Sequence, residues 1–267
     1  MEDSSLTIGC YQREQSLGGG IAEVYRAVNL DTRLPVVIKL LRRAHRDDPS
    51  CRARLVTEAR LARRCHHPNV VAVLDSGDFE GRPYFVMEYL PEPALSFPAR
   101  ATGWTQVAPT ILALCRALDH VHRQGVVHGD IKPANVRFNA AGVTKLCDFG
   151  LARDLAAPPS RPPAGTAPYL APEQVEGATA SVATDIWSFG VVLFELLAGK
   201  RPFAGRRLDD TLNAIVAAAP KWDLLPPHHA PPAMLNILHR CLEKDPRRRY
   251  HSMASILALL ETLNPSA

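Results

Sequence analysis

Apolar and β-branched residues gather in short runs through the first third of the chain. Val24–Val28, Leu34–Leu40, Val70–Leu74 and Tyr84–Tyr89 each have the length and composition of a β-strand. One stretch breaks the pattern: Leu55, Val56, Ala59 and Ala62 recur at helical spacing and predict a helix with a single buried stripe. From Pro91 onward helical spacing dominates. Val107, Ile111, Leu114, Cys115, Leu118 and Val121 make one stripe, and Met253, Ile256, Leu257, Leu260 and Leu263 make the last. Ile186–Leu197 is apolar almost all round, which predicts a buried helix stopped by Gly199. Proline-rich segments at 91–98, 158–168 and 225–232 read as loops joining these elements. Strands first and helices after is the order of an α+β chain, and no internal repeat is visible.

Composition narrows this picture without redirecting it. With 267 residues and 46% hydrophobic content, the chain is long enough for one large domain or two lobes around a real core. The net charge of +4 is too small to demand nucleic acid. The basic clusters at Arg42–Arg46, Lys200–Arg201, Arg206–Arg207 and Arg247–Arg249 are scattered and read as solvated surface or ion pairs. The 6 cysteines form no CxxC pair and show no metal spacing, so they read as buried thiols of a reducing, cytoplasmic protein. The tandem pairs His66-His67 and His228-His229 have no ligand partner one helical turn away. No signal peptide is visible, and the longest nearly apolar run, Gly190–Gly199, contains Glu195 and is too short to span a bilayer.

The residues that carry chemistry lie between positions 128 and 150. His128-Gly129-Asp130-Ile131-Lys132-Pro133-Ala134-Asn135 is followed by Asp148-Phe149-Gly150. Two acids, a lysine and a carboxamide form the set that phosphoryl transfer needs. One carboxylate orients a hydroxyl, one carboxylate and an amide oxygen hold Mg²⁺, and an ammonium neutralises phosphate. Upstream, Val36-Val37-Ile38-Lys39 reads as a strand ending in a lysine, and Glu58 sits in the predicted helix. Leu17-Gly18-Gly19-Gly20 opens a hairpin whose backbone can approach phosphate closely. Downstream come Gly165-Thr166-Ala167-Pro168-Tyr169-Leu170-Ala171-Pro172-Glu173, then Asp185-Ile186-Trp187-Ser188-Phe189-Gly190, then Lys244-Asp245-Pro246-Arg247-Arg248-Arg249.

In this order and from about Tyr11 to Leu263, these segments resemble the eukaryotic-like (Hanks-type) Ser/Thr protein kinase domains, in bacterial style. The resemblance implies a bilobal kinase-like fold: a small β-rich lobe over 1–88 with one main helix, and a larger α-helical lobe over 89–267. It implies transfer of the γ-phosphoryl group of ATP to Ser/Thr hydroxyls of protein substrates, with Mg²⁺ as cofactor. Asp130 would orient the hydroxyl, Lys132 would stabilise charge on the moving group, and Thr166 would help orient the substrate. Lys39, braced by Glu58, would position the α and β phosphates, while Asn135 and Asp148 would bind Mg²⁺. Leu17, Gly18, Gly19, Gly20, Val24, Val37, Met87, Glu88, Tyr89 and Arg137 would complete the nucleotide site. Arg249 would pair with Glu173.

Four departures from the family pattern stand out. The glycine hairpin is one residue short, with Leu17 and Ala22 where glycines belong. Gly129 replaces the arginine that binds an activation-segment phosphate, leaving Arg54 and Arg153 as basic neighbours and Ser160 as the hydroxyl between Gly150 and Thr166. Arg137 replaces the aliphatic floor of the adenine pocket, so its guanidinium would have to snorkel or stack. Ala62 is smaller than usual. Glu92 is the acidic candidate near the substrate groove. Two other readings compete. One is a pseudokinase scaffold that binds nucleotide or partners with little catalysis. The other is a small-molecule phosphotransferase, whose motif the His-Gly-Asp triplet also resembles.

Overall fold

The computed structural model describes residues 7–91, 94–95, 103–157, 166–226 and 228–263. Glu92 and Ser160 lie outside this set. Strands β1 (Thr7–Ile8), β2 (Tyr11–Gly18), β3 (Ala22–Asn29), β4 (Pro35–Leu41), β5 (Val73–Phe79) and β6 (Arg82–Glu88) build one antiparallel six-stranded sheet in the order β1-β2-β3-β4-β6-β5. Val36, Ile38 and Leu40 alternate onto one face of β4 and close a small core with Ile8, Ala27 and Val86. The alternation continues past Lys39 to Leu41, so the lysine lies inside the strand instead of ending it.

Helix α1 (Pro49–Arg64) leaves the sheet after β4. Asp48 caps it by accepting from the Ser50 and Cys51 N–H groups, and Pro49 takes the first helical position, where a missing donor costs nothing. Its buried residues are Leu55, Glu58, Leu61 and Ala62. The expected stripe included Val56, which instead faces solvent, 55% exposed. A carboxylate takes a core-facing position there because Lys39 meets it. The strand expected over Val70–Leu74 also shifts, since β5 begins at Val73. Val70 and Val71 are buried, but they bond to the Leu146 segment and not to β6.

The remainder is mostly helical: α2 (Trp104–Arg123), α3 (Pro172–Val175), α4 (Val182–Ala198), α5 (Leu208–Ala217), α6 (Pro232–Cys241) and α7 (Met253–Thr262). Among them lie two short pairings: β7 (Val126–Val127) with β10 (Arg153–Asp154), and β8 (Val136–Phe138) with β9 (Thr144–Leu146). Helix α4 is buried along nearly its whole length, starts at a Ser181 cap and stops at Gly199, whose φ of +69° suits a residue without Cβ. The α2 stripe packs into the same core, as do Met253, Ile256 and Leu260 of α7. No described helix is long and apolar enough to cross a membrane. All six cysteines are free thiols; Cys65, Cys115, Cys147 and Cys241 are buried as expected, while Cys10 and Cys51 are only half-buried.

Candidate active site

Lys39 stands between Val24 of β3 and Phe85 of β6 in the sheet register. Its Nζ donates to Glu58 Oε1 at 2.6 Å and to Asp148 Oδ1 at 3.0 Å. One ammonium thus joins β4, α1 and the segment after β9. Burial opposes charge on Lys39, but Glu58 and Asp148 outweigh it and hold the ammonium above the ordinary lysine range. Burial alone would raise the Asp148 carboxyl; Lys39 holds it below the usual carboxylate value. Asp148 adopts φ +64°, a left-handed conformation that Asp tolerates better than most residues.

The loop after β7 hangs on Asp185 at the start of α4. Asp185 accepts from the His128 and Gly129 N–H groups at 2.8 Å each and meets His122 Nε2 at 2.8 Å. It is fully buried. Burial would raise its carboxyl, yet His122, His128 and the Gly129 amide hold it below the ordinary value. His128 Nε2 contacts the Cys147 carbonyl at 3.0 Å, which ties this loop to the Asp148 segment. In the sequence Asp185 stood out only as the first residue of a motif. The signal for its anchoring role was a carboxylate opening a helix that is apolar all round.

Asp130 is held at every oxygen. Oδ1 accepts from the Thr166 hydroxyl at 3.1 Å and its amide at 3.3 Å, and Oδ2 from Lys132 Nζ at 2.5 Å and Asn135 Nδ2 at 3.1 Å. Lys132 also donates to Thr166 Oγ1 at 2.6 Å. Asn135 Nδ2 donates as well to the Asp130 carbonyl at 2.8 Å, which turns its own carbonyl oxygen the other way. That oxygen and Asp148 Oδ2, whose sister oxygen holds Lys39, are hard donors of the kind a Mg²⁺ ion takes. The fold therefore gathers two linked groups, Lys39–Glu58–Asp148 and Asp130–Lys132–Asn135–Thr166, joined through the backbone where the Cys147 N–H donates to the Asn135 carbonyl at 2.8 Å.

Beside this network lies a cavity of about 370 Å³ lined by Leu17, Val24, Val37, Val71, Met87, Glu88, Tyr89, Leu90, Arg137 and Cys147. Seven of these carry the sequence expectation. Gly18, Gly19 and Gly20 do not line it; Gly18 ends β2, paired with Val24, and Gly19 and Gly20 lie in the turn to β3. Val71, Leu90 and Cys147 were missed. Cys147 directly precedes Asp148, a position that could have exposed it, and burial pushes its thiol up to about 12. The Glu88 carboxylate is engaged by Lys145 Nζ and the Ala72 N–H, both at 2.8 Å, so its own contribution to a ligand falls to the backbone. Arg137 donates to the Leu90 carbonyl at 3.3 Å.

Gly129 has φ +77°, and a Cβ there would lie 2.9 Å from the Leu151 carbonyl oxygen. The loop path itself excludes a side chain at this position. Arg54 donates to the Gly150 carbonyl, and Arg153 to those of Ala180 and Ala157. Glu173 and Arg249 form the expected pair, with Nη1 and Nη2 each 2.7 Å from a carboxylate oxygen. Ala62 is packed in the core beside Leu61 and Cys65. The cysteine spacing suggested no metal site, yet ligand atoms of His45, Asp48 and Cys51 lie within 4.8 Å of one another. Helix capping by Asp48 accounts for that convergence.

The protein kinase domain family matches residues 11–259. A probable serine/threonine-protein kinase PknB from Bifidobacterium longum is 36% identical over 271 residues, covering 92% of this chain and 38% of the relative. The serine/threonine-protein kinase PknB of Mycolicibacterium smegmatis is 35% identical over 267 residues, covering 93% and 42%. The PknB of Mycobacterium tuberculosis is 34% identical over 265 residues, again covering 93% and 42%. The chain thus spans only about two fifths of the length of these relatives.

Proposed function

The chain belongs to the protein kinase domain family, and from that premise we propose that it transfers the γ-phosphoryl group of Mg-ATP to serine and threonine hydroxyls of proteins. The observation that carries this reading is the joint between Asp130, Lys132 and Thr166, in which lysine and threonine meet the same carboxylate. Asp130 orients the incoming hydroxyl and accepts its proton. Lys132 sits one bond away, where negative charge on the moving group needs an ammonium. Thr166 fixes both and borders the place where a substrate hydroxyl enters. Lys39, kept charged by its two carboxylate partners, holds the α and β phosphates. Asn135 and Asp148 would hold Mg²⁺, which supplies charge neutralisation of the phosphates. The adenine would occupy the apolar cavity between Val24, Val37 and Met87. Catalysis of this kind consists mainly of positioning and charge stabilisation.

In this reading 1–88 is the small lobe, 89–267 the large one, and protein substrates, not nucleic acid, are the partners of a cytoplasmic enzyme. The pseudokinase alternative loses support because Lys39 already bonds Glu58 and Asp148 together. Asp148→Asn, which keeps a residue suited to the left-handed backbone there, tests the assignment. It should abolish Mg²⁺-dependent transfer to a generic protein substrate while melting near the wild-type temperature, with phosphate in the wild-type reaction found on Ser and Thr. A variant that transfers at the wild-type rate would remove Asp148 from the site.

A further inference from the structure

Three successive carbonyls at the tip of the β2–β3 hairpin end on one residue. Arg42, directly after β4, donates Nε to the Gly20 carbonyl at 2.7 Å and Nη2 to the Gly19 carbonyl at 3.2 Å. Its backbone N–H donates to the Ile21 carbonyl at 3.0 Å. No described peptide bond is cis. In a planar trans peptide the N–H points opposite to the C=O. Holding the Gly19 and Gly20 carbonyls therefore turns the Gly20 and Ile21 N–H groups away from the guanidinium. Among the described residues neither amide donates to a backbone carbonyl elsewhere.

Two neighbouring amides aimed the same way make a concavity that suits an anion. The turn adjoins the nucleotide cavity, because Leu17 and Val24 on either side of it line that cavity. Left alone, this turn has little to hold its shape. A Gly-Gly-Gly run has the largest choice of backbone conformations, and ordering it costs the most entropy. Gly19 sits at φ +130°, where a Cβ would be 2.1 Å from the Ala22 carbonyl oxygen, so no other residue can stiffen that point.

We propose that Arg42 is a positioning residue for the phosphate end of the nucleotide, clamping the glycine turn so that its free amides stay aimed at phosphate. The clamp rests on the nucleotide-transfer reading above and supplies what a hairpin one residue short lacks in its own geometry. Arginine suits the task because its rigid fork places two donors on two adjacent carbonyls, which an ammonium on a flexible stem does not match.

Calorimetric titration with Mg-ATP and with adenosine, on wild type, Arg42→Ala and Arg42→Lys, tests this. Wild type should bind both ligands. Both variants should lose roughly tenfold in Mg-ATP affinity, the size expected for a lost charge-assisted hydrogen bond, and keep their adenosine affinity. Unchanged Mg-ATP affinity in both variants overturns the clamp. So does a wild-type affinity in Arg42→Lys beside a weak Arg42→Ala, since charge alone would then suffice. Parallel losses for ATP and adenosine also overturn it, because they indicate general loosening of the hairpin. A wild type that binds neither ligand defeats the reading of the site itself, and the clamp with it.

Discussion

Arg137 donates to the carbonyl of Leu90, 3.3 Å away, and so secures the segment that leaves the sheet beside the cavity. Directly across the β8–β9 hairpin, Lys145 secures Glu88 in the same segment. A cation where the family keeps an aliphatic floor is thus tied to the connecting segment while it also lines the cavity.

This geometry sets the first prediction. Arg137→Leu keeps an apolar floor and should hold ATP affinity within about threefold of wild type. Arg137→Ala removes the stem and should weaken binding by about 1 kcal/mol, from lost apolar contact. Calorimetry on the two variants decides; a tenfold or larger loss in Arg137→Leu would mean that the guanidinium stacks on the base.

The second concerns Arg249, which is fully buried. Besides both oxygens of Glu173 it reaches the carbonyls of Ala183, Glu243 and Lys244, and its guanidinium lies 5.0 Å from the Trp187 ring centroid. Arg249→Ala leaves these acceptors unpaired and should cost about 3–5 kcal/mol in denaturant unfolding. Arg249→Lys should recover little, because an ammonium cannot serve a bidentate site. Near-wild-type stability in either variant would contradict this placement.

Asp185 supplies a pH-dependent test. Its folded pKa lies below the ordinary 3.8, so its ionised form stabilises the fold fully above that value. The stabilisation declines as pH falls below 3.8 and is gone once pH passes the lower folded value. Asp185→Asn should be less stable at pH 7 by about 3 kcal/mol, having lost a charged acceptor for two backbone amides. The gap between wild type and variant should narrow only in that acid window. A gap that narrows already between pH 7 and pH 5 would show that another group carries the effect.

Regulation gives the fourth prediction. A phosphoserine carries about −1.5 to −2 charge and orders a loop only where arginines meet it. Gly129 cannot be replaced by a side chain on this backbone path, and Arg54 and Arg153 already serve backbone carbonyls. Ser160→Ala should therefore retain most of the transfer rate. A large loss of rate with unchanged ATP affinity would show that Arg54 and Arg153 form a phosphate pocket.

Much of this was legible in the chain because the candidate site residues sit in short, ordered motifs. Lys39, Asp130, Asn135 and Asp148 are set by local spacing, and the apolar stripe of α2 follows directly from its period. Errors arose where tertiary contacts override local pattern. Val56 and Glu58 exchange the faces their polarity predicts, because Lys39 across the gap stabilises the acid. Val70 and Val71 are as β-branched as a strand, but their partner is Leu146, distant in sequence. Val71 and Cys147 join the cavity through that same long-range closure, and Leu90 through the segment that Arg137 holds. The Arg42 clamp was hidden because a scattered basic cluster gives no sign of which arginine folds back on the hairpin.

The most direct measurement is phosphate transfer from Mg-ATP to a protein bearing Ser and Thr, comparing wild type with Asp130→Asn at equal nucleotide occupancy. Wild type should label Ser and Thr, and the variant should be slower by roughly 10²-fold or more, the contribution expected of a positioned base. Equal rates in the two proteins, or a wild type that binds Mg-ATP and transfers nothing, would contradict the assignment of this chain as a working kinase domain.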